Sequence, residues 1–211
     1  MQISVLREQI QQRLGTFRAA HVLSTEEEAV RIAALYLPEQ TEKVRISALL
    51  HDITKEYDVK QHLQIFDDFG ISVDGTMMES PKVFHAKTAA LLLPKEFPDY
   101  AFPEIISAVE KHTTGSVDMS MLDIIIYLAD YIEPTRRFED CKMLRSYFWD
   151  GLTTIDTEQE KKLHLYKTMV LSFDLTIQNL IREQTIIAPE TIAARNAFVM
   201  KCKGMEEGNK R

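Results

Sequence analysis

Apolar residues recur at spacings of three and four along almost the whole chain, and no segment alternates with period two for long. That pattern restricts the chain to helices packed on helices. Ile3, Leu6, Ile10 and Leu14 form one stripe, and Ala29, Ile32, Ala33 and Tyr36 form another. The punctuation agrees. Pro81 and Pro103 stand where a first helical turn tolerates proline. Ser120 with Asp123, and Thr157 with Glu160, resemble capping boxes, and Pro134 ends the helix that Ser120 opens. The Thr157 helix is expected to run to about residue 184, and Pro189 to open the last one. No Asn-Gly or Asp-Gly joins two strand-like runs, and there is no internal repeat. The expected architecture is all-α, a bundle of about nine or ten helices in one domain over residues 1–200. Its core spans about 15–140, helices at about 157–203 pack on it, and 204–211 form a frayed tail.

The 211 residues are 45% hydrophobic, ample for a core, with a formal charge of −7. An acidic surface offers no long-range attraction to nucleic acid or to anionic membrane, so neither is an expected partner. An anionic substrate would need local cations: a metal, or a few placed Lys and Arg. Cys141 and Cys202, far apart, suit a reduced cytoplasm better than a disulfide scaffold. The first fourteen residues carry charge where a secretory leader needs its apolar block, and no apolar run approaches ~18 residues.

Polar residues in apolar settings carry the chemistry. His51-Asp52 closes the apolar "ISALL", and Asp130 follows "IIIYLA" directly. A buried carboxylate is paired or holds a metal, since isolation costs several kcal/mol. Lys55, three residues after Asp52, is a candidate partner. One lysine cannot compensate two aspartates and the four histidines that recur beside apolar helix faces: His21, His51, His85 and His112. One or two divalent cations can. Neutral imidazole suits Fe, Mn or Zn, and a carboxylate can bridge two ions. Any one such histidine is more often a satisfied core residue than a ligand; it is the set that argues for metal. His62 and His164, among Gln, Lys and Tyr, read as residues of wet faces. Tyr127, Tyr131 and Phe138 read as core or pocket wall.

His21, then His51-Asp52, then Asp130 resemble the H…HD…D signature of the HD-domain metal-dependent phosphohydrolases. More narrowly, "ALLHDITKEY", "FHAKTAA" and "HTTG…LADYIEPTR" resemble the YqeK family, the HD-type symmetrical bis(5′-nucleosyl)-tetraphosphatases, over about residues 15–140. The resemblance implies an HD-domain bundle that splits diadenosine tetraphosphate into two ADP. It assigns one metal to His21, His51, Asp52 and Asp130, with Asp52 bridging to a second held by His85 and His112. It implies iron, as a di-iron centre, with manganese also suited. It places Lys55, Thr113, Thr114, Gly115 and Arg136 against phosphate and nucleotide, beside the ligands His21, Asp52, His85, His112 and Asp130. Asp52, Lys55, His112 and Arg136 would carry catalysis, His112 as ligand or as proton donor. The glycine of "TTG" would let backbone approach phosphate closely. Thr135 departs from the small residue expected there. Oligomeric state is left open, a homodimer included. The rivals are an HD phosphohydrolase acting on nucleoside monophosphates or cyclic nucleotides, a non-catalytic nucleotide-sensing module, and a scaffold whose metal only stabilises the fold.

Overall fold

The computed structural model describes residues 2–208. Among them eleven α-helices follow one another with no strand: α1 (Ile3–Arg13), α2 (Thr16–Tyr36), α3 (Thr41–Leu50), α4 (Val59–Asp68), α5 (Gly75–Met78), α6 (Phe84–Glu96), α7 (Pro103–Lys111), α8 (Met121–Ile132), α9 (Glu139–Gly151), α10 (Glu158–Arg182) and α11 (Pro189–Gly208). All but the single turn α5 have nine residues or more, so ten full helices meet the expected nine or ten. The caps form as the local sequence dictates. The Ser120 hydroxyl accepts from the Asp123 N–H, and the Asp123 carboxylate accepts from the Ser120 N–H. Thr157 and Glu160 do the same for α10. A third box, Asp58 with Gln61, opens α4. Each side-chain cap contributes about 0.5–2 kcal/mol.

Helix α8 is the axle. Leu122, Ile124, Ile125, Ile126, Leu128 and Ile132 are all buried, because α2, α3, α7, α9 and α10 surround it. Each such side chain contributes roughly 1.5–3 kcal/mol by leaving water. Two apolar clusters result. One joins α8 to Phe148, Met169, Phe173 and Phe198 of the C-terminal helices. The other joins Leu6, Ile10, Leu49, Leu50, Leu93 and Val109 of α1, α3, α6 and α7. The second half thus completes the bundle, and α11 stays helical through Gly208, across residues 204–208 that were expected to fray. Residues 209–211 lie outside the described residues.

Two sequence expectations are corrected. His62 is not on a wet face: it is buried, its Nδ1 2.8 Å from Thr88 Oγ1 and its ring edge-on to Phe84. The polar neighbours Lys60 and Gln61 face water on the other side of α4 while α6 covers His62. His164 is half-buried, stacked on Tyr147 and Phe148 with Nε2 3.0 Å from the Phe148 carbonyl. Among the described residues no helix is long and apolar enough to cross a membrane. Cys141 and Cys202 are free and buried.

Candidate metal centre and active site

Four histidines converge where α2, α8, the ends of α3 and α7, and the start of α6 meet. His51 and His112 are the C-cap residues of α3 and α7. A histidine there can turn its ring back onto the carbonyl three residues earlier. The His51 Nδ1 lies 2.6 Å from Ala48 O, and the His112 Nδ1 2.6 Å from Val109 O. His85 repeats the pattern against Lys82 O at 2.8 Å. Since a carbonyl only accepts, each Nδ1 carries the proton, and each Nε2 lone pair points inward. His21, mid-helix in α2, is held by Glu133, whose Oε1 lies 3.0 Å from its Nδ1. This anchoring of the outer nitrogen by a carbonyl or carboxylate is how proteins orient metal-ligating imidazoles. The rings form a row, His21–His51–His112–His85, with successive centroids 5.5, 4.9 and 5.0 Å apart.

Asp52 lies along that row. Its Oδ2 is 3.7 Å from His21 Nε2 and 3.5 Å from His51 Nε2. Its Oδ1 is 3.4 Å from His85 Nε2 and 3.6 Å from His112 Nε2. Asp130 Oδ1 is 2.9 Å from His21 Nε2 and 3.7 Å from His51 Nε2. Neighbouring ligands ~2.1 Å from one ion lie roughly 3–3.5 Å apart, so these separations suit shared coordination. The bonding deficit says the same. His51 Nε2 and Asp52 Oδ1 are buried without a hydrogen bond, and they are atoms that a metal would satisfy. The groups His21–His51–Asp130 and His51–Asp52–His112 each bring ligand atoms within 4.8 Å of one another. The residues present therefore fit a metal centre.

The electrostatics follow from burial among unlike charges. Burial opposes ionisation of Asp52, yet His51 and His112 outweigh it and hold the carboxyl well below its usual range. Asp130 is likewise held low, against its burial, by Arg136 and His21. Burial lowers His112, and burial with the nearby Lys55 ammonium pushes His85 lower still, so both rings are neutral. His21 goes the other way: burial opposes its charge, but Asp130 and Glu133 raise it to about 9. Glu133, despite its burial, is held at about 2 by His21 and Thr135.

Of the expected substrate contacts, Lys55, Thr113 and Arg136 reach the cluster. Lys55 does not pair with Asp52; its Nζ lies 3.1 Å from His85 Nε2. The Thr113 hydroxyl is 3.0 Å from the same nitrogen. Nor do the aspartates lack cations: Arg18 donates to Asp52 Oδ2 at 2.8 Å, and Arg136 to Asp130 Oδ1 at 2.6 Å. Thr114 and Gly115 turn away. The Thr114 hydroxyl donates to the Gly115 carbonyl, 3.3 Å away. Gly115 has φ +68°, and an added Cβ would sit 2.6 Å from Phe173 Cζ, so turn and packing account for this glycine. Of the aromatics expected as core or pocket wall, Tyr127 is core, and Phe138, 71% exposed, stands at a cavity rim.

Two cavities border the row. One, of about 790 Å³, is lined by His21, Arg18, Phe17, Arg137, Arg136 and Phe138 among others. The second, of about 300 Å³, is lined by His112, Asp130, Lys55, Thr113, Tyr131 and Asn179 among others, and shares Arg136 and Phe138 with the first. Sequence reasoning missed Arg18 and Glu133. Arg18 lies one turn before His21, and Glu133 three residues after Asp130; these spacings on a shared helix face were the available signal. Thr135, the apparent departure, donates its hydroxyl and its N–H to Glu133, each at 2.6 Å.

Comparisons with known proteins agree with this geometry. Two curated relatives named "Bis(5′-nucleosyl)-tetraphosphatase, symmetrical" resemble the chain over most of both lengths. The Halalkalibacterium halodurans protein is 27% identical over 92% of this chain and 95% of its own. The Staphylococcus aureus protein is 26% identical over 85% and 90%. A crystal structure from Clostridium acetobutylicum, described as a predicted HD superfamily hydrolase involved in NAD metabolism, superposes with a TM-score of 0.80 at 30% identity, covering 95% of this chain and 98% of that one. The HD domain profile matches residues 18–135, the span from Arg18 to Thr135 that brackets the whole cluster, and the chain belongs to the HD domain family.

Proposed function

We propose that this protein hydrolyses diadenosine tetraphosphate symmetrically to two ADP. One observation carries the reading: four inward-facing imidazole nitrogens and two carboxylates form a single row, bordered by cationic side chains and a cavity near each end. The names of the relatives give the substrate class. His21, His51, Asp52 and Asp130 would hold one divalent ion and Asp52, His85 and His112 another; iron is the ion proposed, and the donor set also suits manganese. Bound there, the ions would activate water near neutral pH and act as Lewis acids toward phosphoryl oxygens.

The chain's own residues do the rest. Water oxygen joins one of the two central phosphorus atoms, and the bridging oxygen leaves with the other, so each product is ADP. Arg136 and Arg18 offer planar forks that match phosphate oxygens, and Lys55 a point charge. These side chains counter the developing negative charge on the transferred phosphoryl and on the departing ADP. His112 serves as a ligand, not an acid: its proton is on Nδ1, given to Val109 O, and burial keeps the ring neutral. Asp52 and Lys55 reach the row, while Thr114 and Gly115 are assigned no contact. Two free buried cysteines suit a reducing cytoplasm, where we place the protein.

The test is product analysis on anaerobically purified, metal-quantified protein. ADP as sole product, abolished by chelator, supports the reading. AMP with ATP would overturn the cleavage position, and turnover that survives complete metal removal would overturn the metal centre.

A further inference from the structure

We propose that the 790 Å³ cavity receives one nucleoside of the dinucleotide, with its base stacked on Phe17. The inference rests on the tetraphosphatase reading and adds to it the place of one half of the substrate. Phe17 is 82% exposed and Phe138 71%, the two highest values among the large hydrophobic side chains of the described residues. Keeping a phenyl ring in water forgoes the stabilisation that burial would give, and neither ring supports the core. They stand on different elements, Phe17 in the first turn of α2 and Phe138 as the N-cap residue of α9, yet line one cavity. Arg18, Arg136 and Arg137 line it with them. Aromatic faces beside guanidinium forks suit a nucleotide: the rings take a base by stacking and the forks take phosphate.

The position of the cavity supplies the second argument. It meets the imidazole row at His21, whereas the 300 Å³ cavity meets it at His112. Both volumes fall in the range of about 300–1,000 Å³ usual for small-molecule sites. A tetraphosphate laid along the row leaves one nucleoside at each end. Arg136 and Phe138 are common to both cavities, and Arg136 holds Asp130 at the His21 end of the row, where it can meet the phosphates nearest the Phe17 nucleoside. Stacking accepts any base. The Phe17 side therefore does not read base identity; it distinguishes a dinucleoside from a mononucleoside polyphosphate.

The experiment uses the full-length, metal-loaded protein and two substrates, diadenosine tetraphosphate and adenosine 5′-tetraphosphate, which lacks the second nucleoside. Phe17→Ala should raise KM for the dinucleotide about tenfold with kcat nearly unchanged, and leave both constants for the mononucleotide unchanged. Phe17→Trp should restore the dinucleotide KM. Its added indole should be quenched by diadenosine tetraphosphate in metal-stripped protein, a binding readout independent of turnover. An active wild type with Phe17→Ala indistinguishable from it would overturn the subsite and leave the tetraphosphatase reading intact. Equal losses on both substrates would also overturn the subsite. A wild-type enzyme that leaves diadenosine tetraphosphate uncut would overturn both.

Discussion

Glu26 and Asp52 are both buried carboxylates, 1% and 2% exposed, yet their surroundings differ in the way that separates structure from chemistry. Glu26 is saturated. Arg7 of α1 donates to it through Nε at 2.7 Å and Nη2 at 2.6 Å, and Arg45 of α3 donates at 2.8 Å. The carboxylate thereby ties α1, α2 and α3 together. Asp52 receives one arginine, its Oδ1 has no hydrogen bond, and four imidazole nitrogens face it at 3.4–3.7 Å. Burial alone therefore does not mark a functional carboxylate in this fold. Incomplete satisfaction among convergent lone pairs does, because the remaining capacity has to be met by something that binds.

The largest effect should come from removing that capacity. Asp52→Asn keeps an oxygen for Arg18 but loses the negative charge that faces the imidazole row. Its kcat/KM should fall about a thousandfold or more, and its metal content should drop with it. The chelated variant should still unfold cooperatively near the wild-type temperature. A variant retaining a tenth of wild-type activity with full metal would break the contrast. Glu26→Ala should do the reverse. It leaves two arginines that are each about one-third exposed and so partly hydrated, and urea unfolding should report a loss of about 2–3 kcal/mol. Activity per folded molecule should stay within about twofold of wild type.

The same contrast explains what could be read from sequence. Caps are local: Ser120 with Asp123, Thr157 with Glu160 and Pro189 lie within a turn of what they control, so the helix boundaries were legible. The histidines and aspartates of the row were legible too, because each interrupts or borders an apolar face. Glu26 and Glu28 were not. They sit in the strongly charged run "TEEEA", yet both are 1% exposed. Their burial depends on Arg7, Arg45 and Trp149, remote in sequence, as His62 depends on α6 and Arg18 on Asp52. Phe138, read as core or pocket wall, is the latter, an apolar residue left out of the core because it lines the cavities. Long-range pairing decides these cases, and spacing carries no record of it.

A response to pH should separate the two regions further. Without metal, His21 has its pKa raised to about 9 from 6.5. A raised pKa contributes stability that is fully present below 6.5 and is lost as pH rises through 9. Chelated wild type should thus lose unfolding free energy across that window, and His21→Gln should remove the slope while Glu26→Ala keeps it. Metal must also displace that proton. Loading at pH 7.5 should release it, and affinity should fall by up to about tenfold for each unit of acidification in this range. Calorimetry in buffers of different ionisation enthalpy measures the release, and its absence would take His21 out of the ligand set.

The smallest effect should come from Glu28, and it isolates charge from hydrogen bonding. Glu28 Oε1 accepts from Trp149 Nε1 at 2.6 Å, and Oε2 accepts from Arg31 at 2.7 Å. Arg31 is 55% exposed and lies over the Trp149 ring, 4.3 Å from its centroid, so it keeps water and an aromatic partner if the carboxylate is neutralised. Glu28→Gln retains an acceptor for the indole and loses only a screened ion pair. The cost should be under about 1 kcal/mol, with turnover and metal content unchanged. A loss as large as that of Glu26→Ala would mean that buried charge itself, rather than its saturated hydrogen bonds, holds α2 to its neighbours. The distinction between the Glu26 and Asp52 environments would then have to be redrawn on charge.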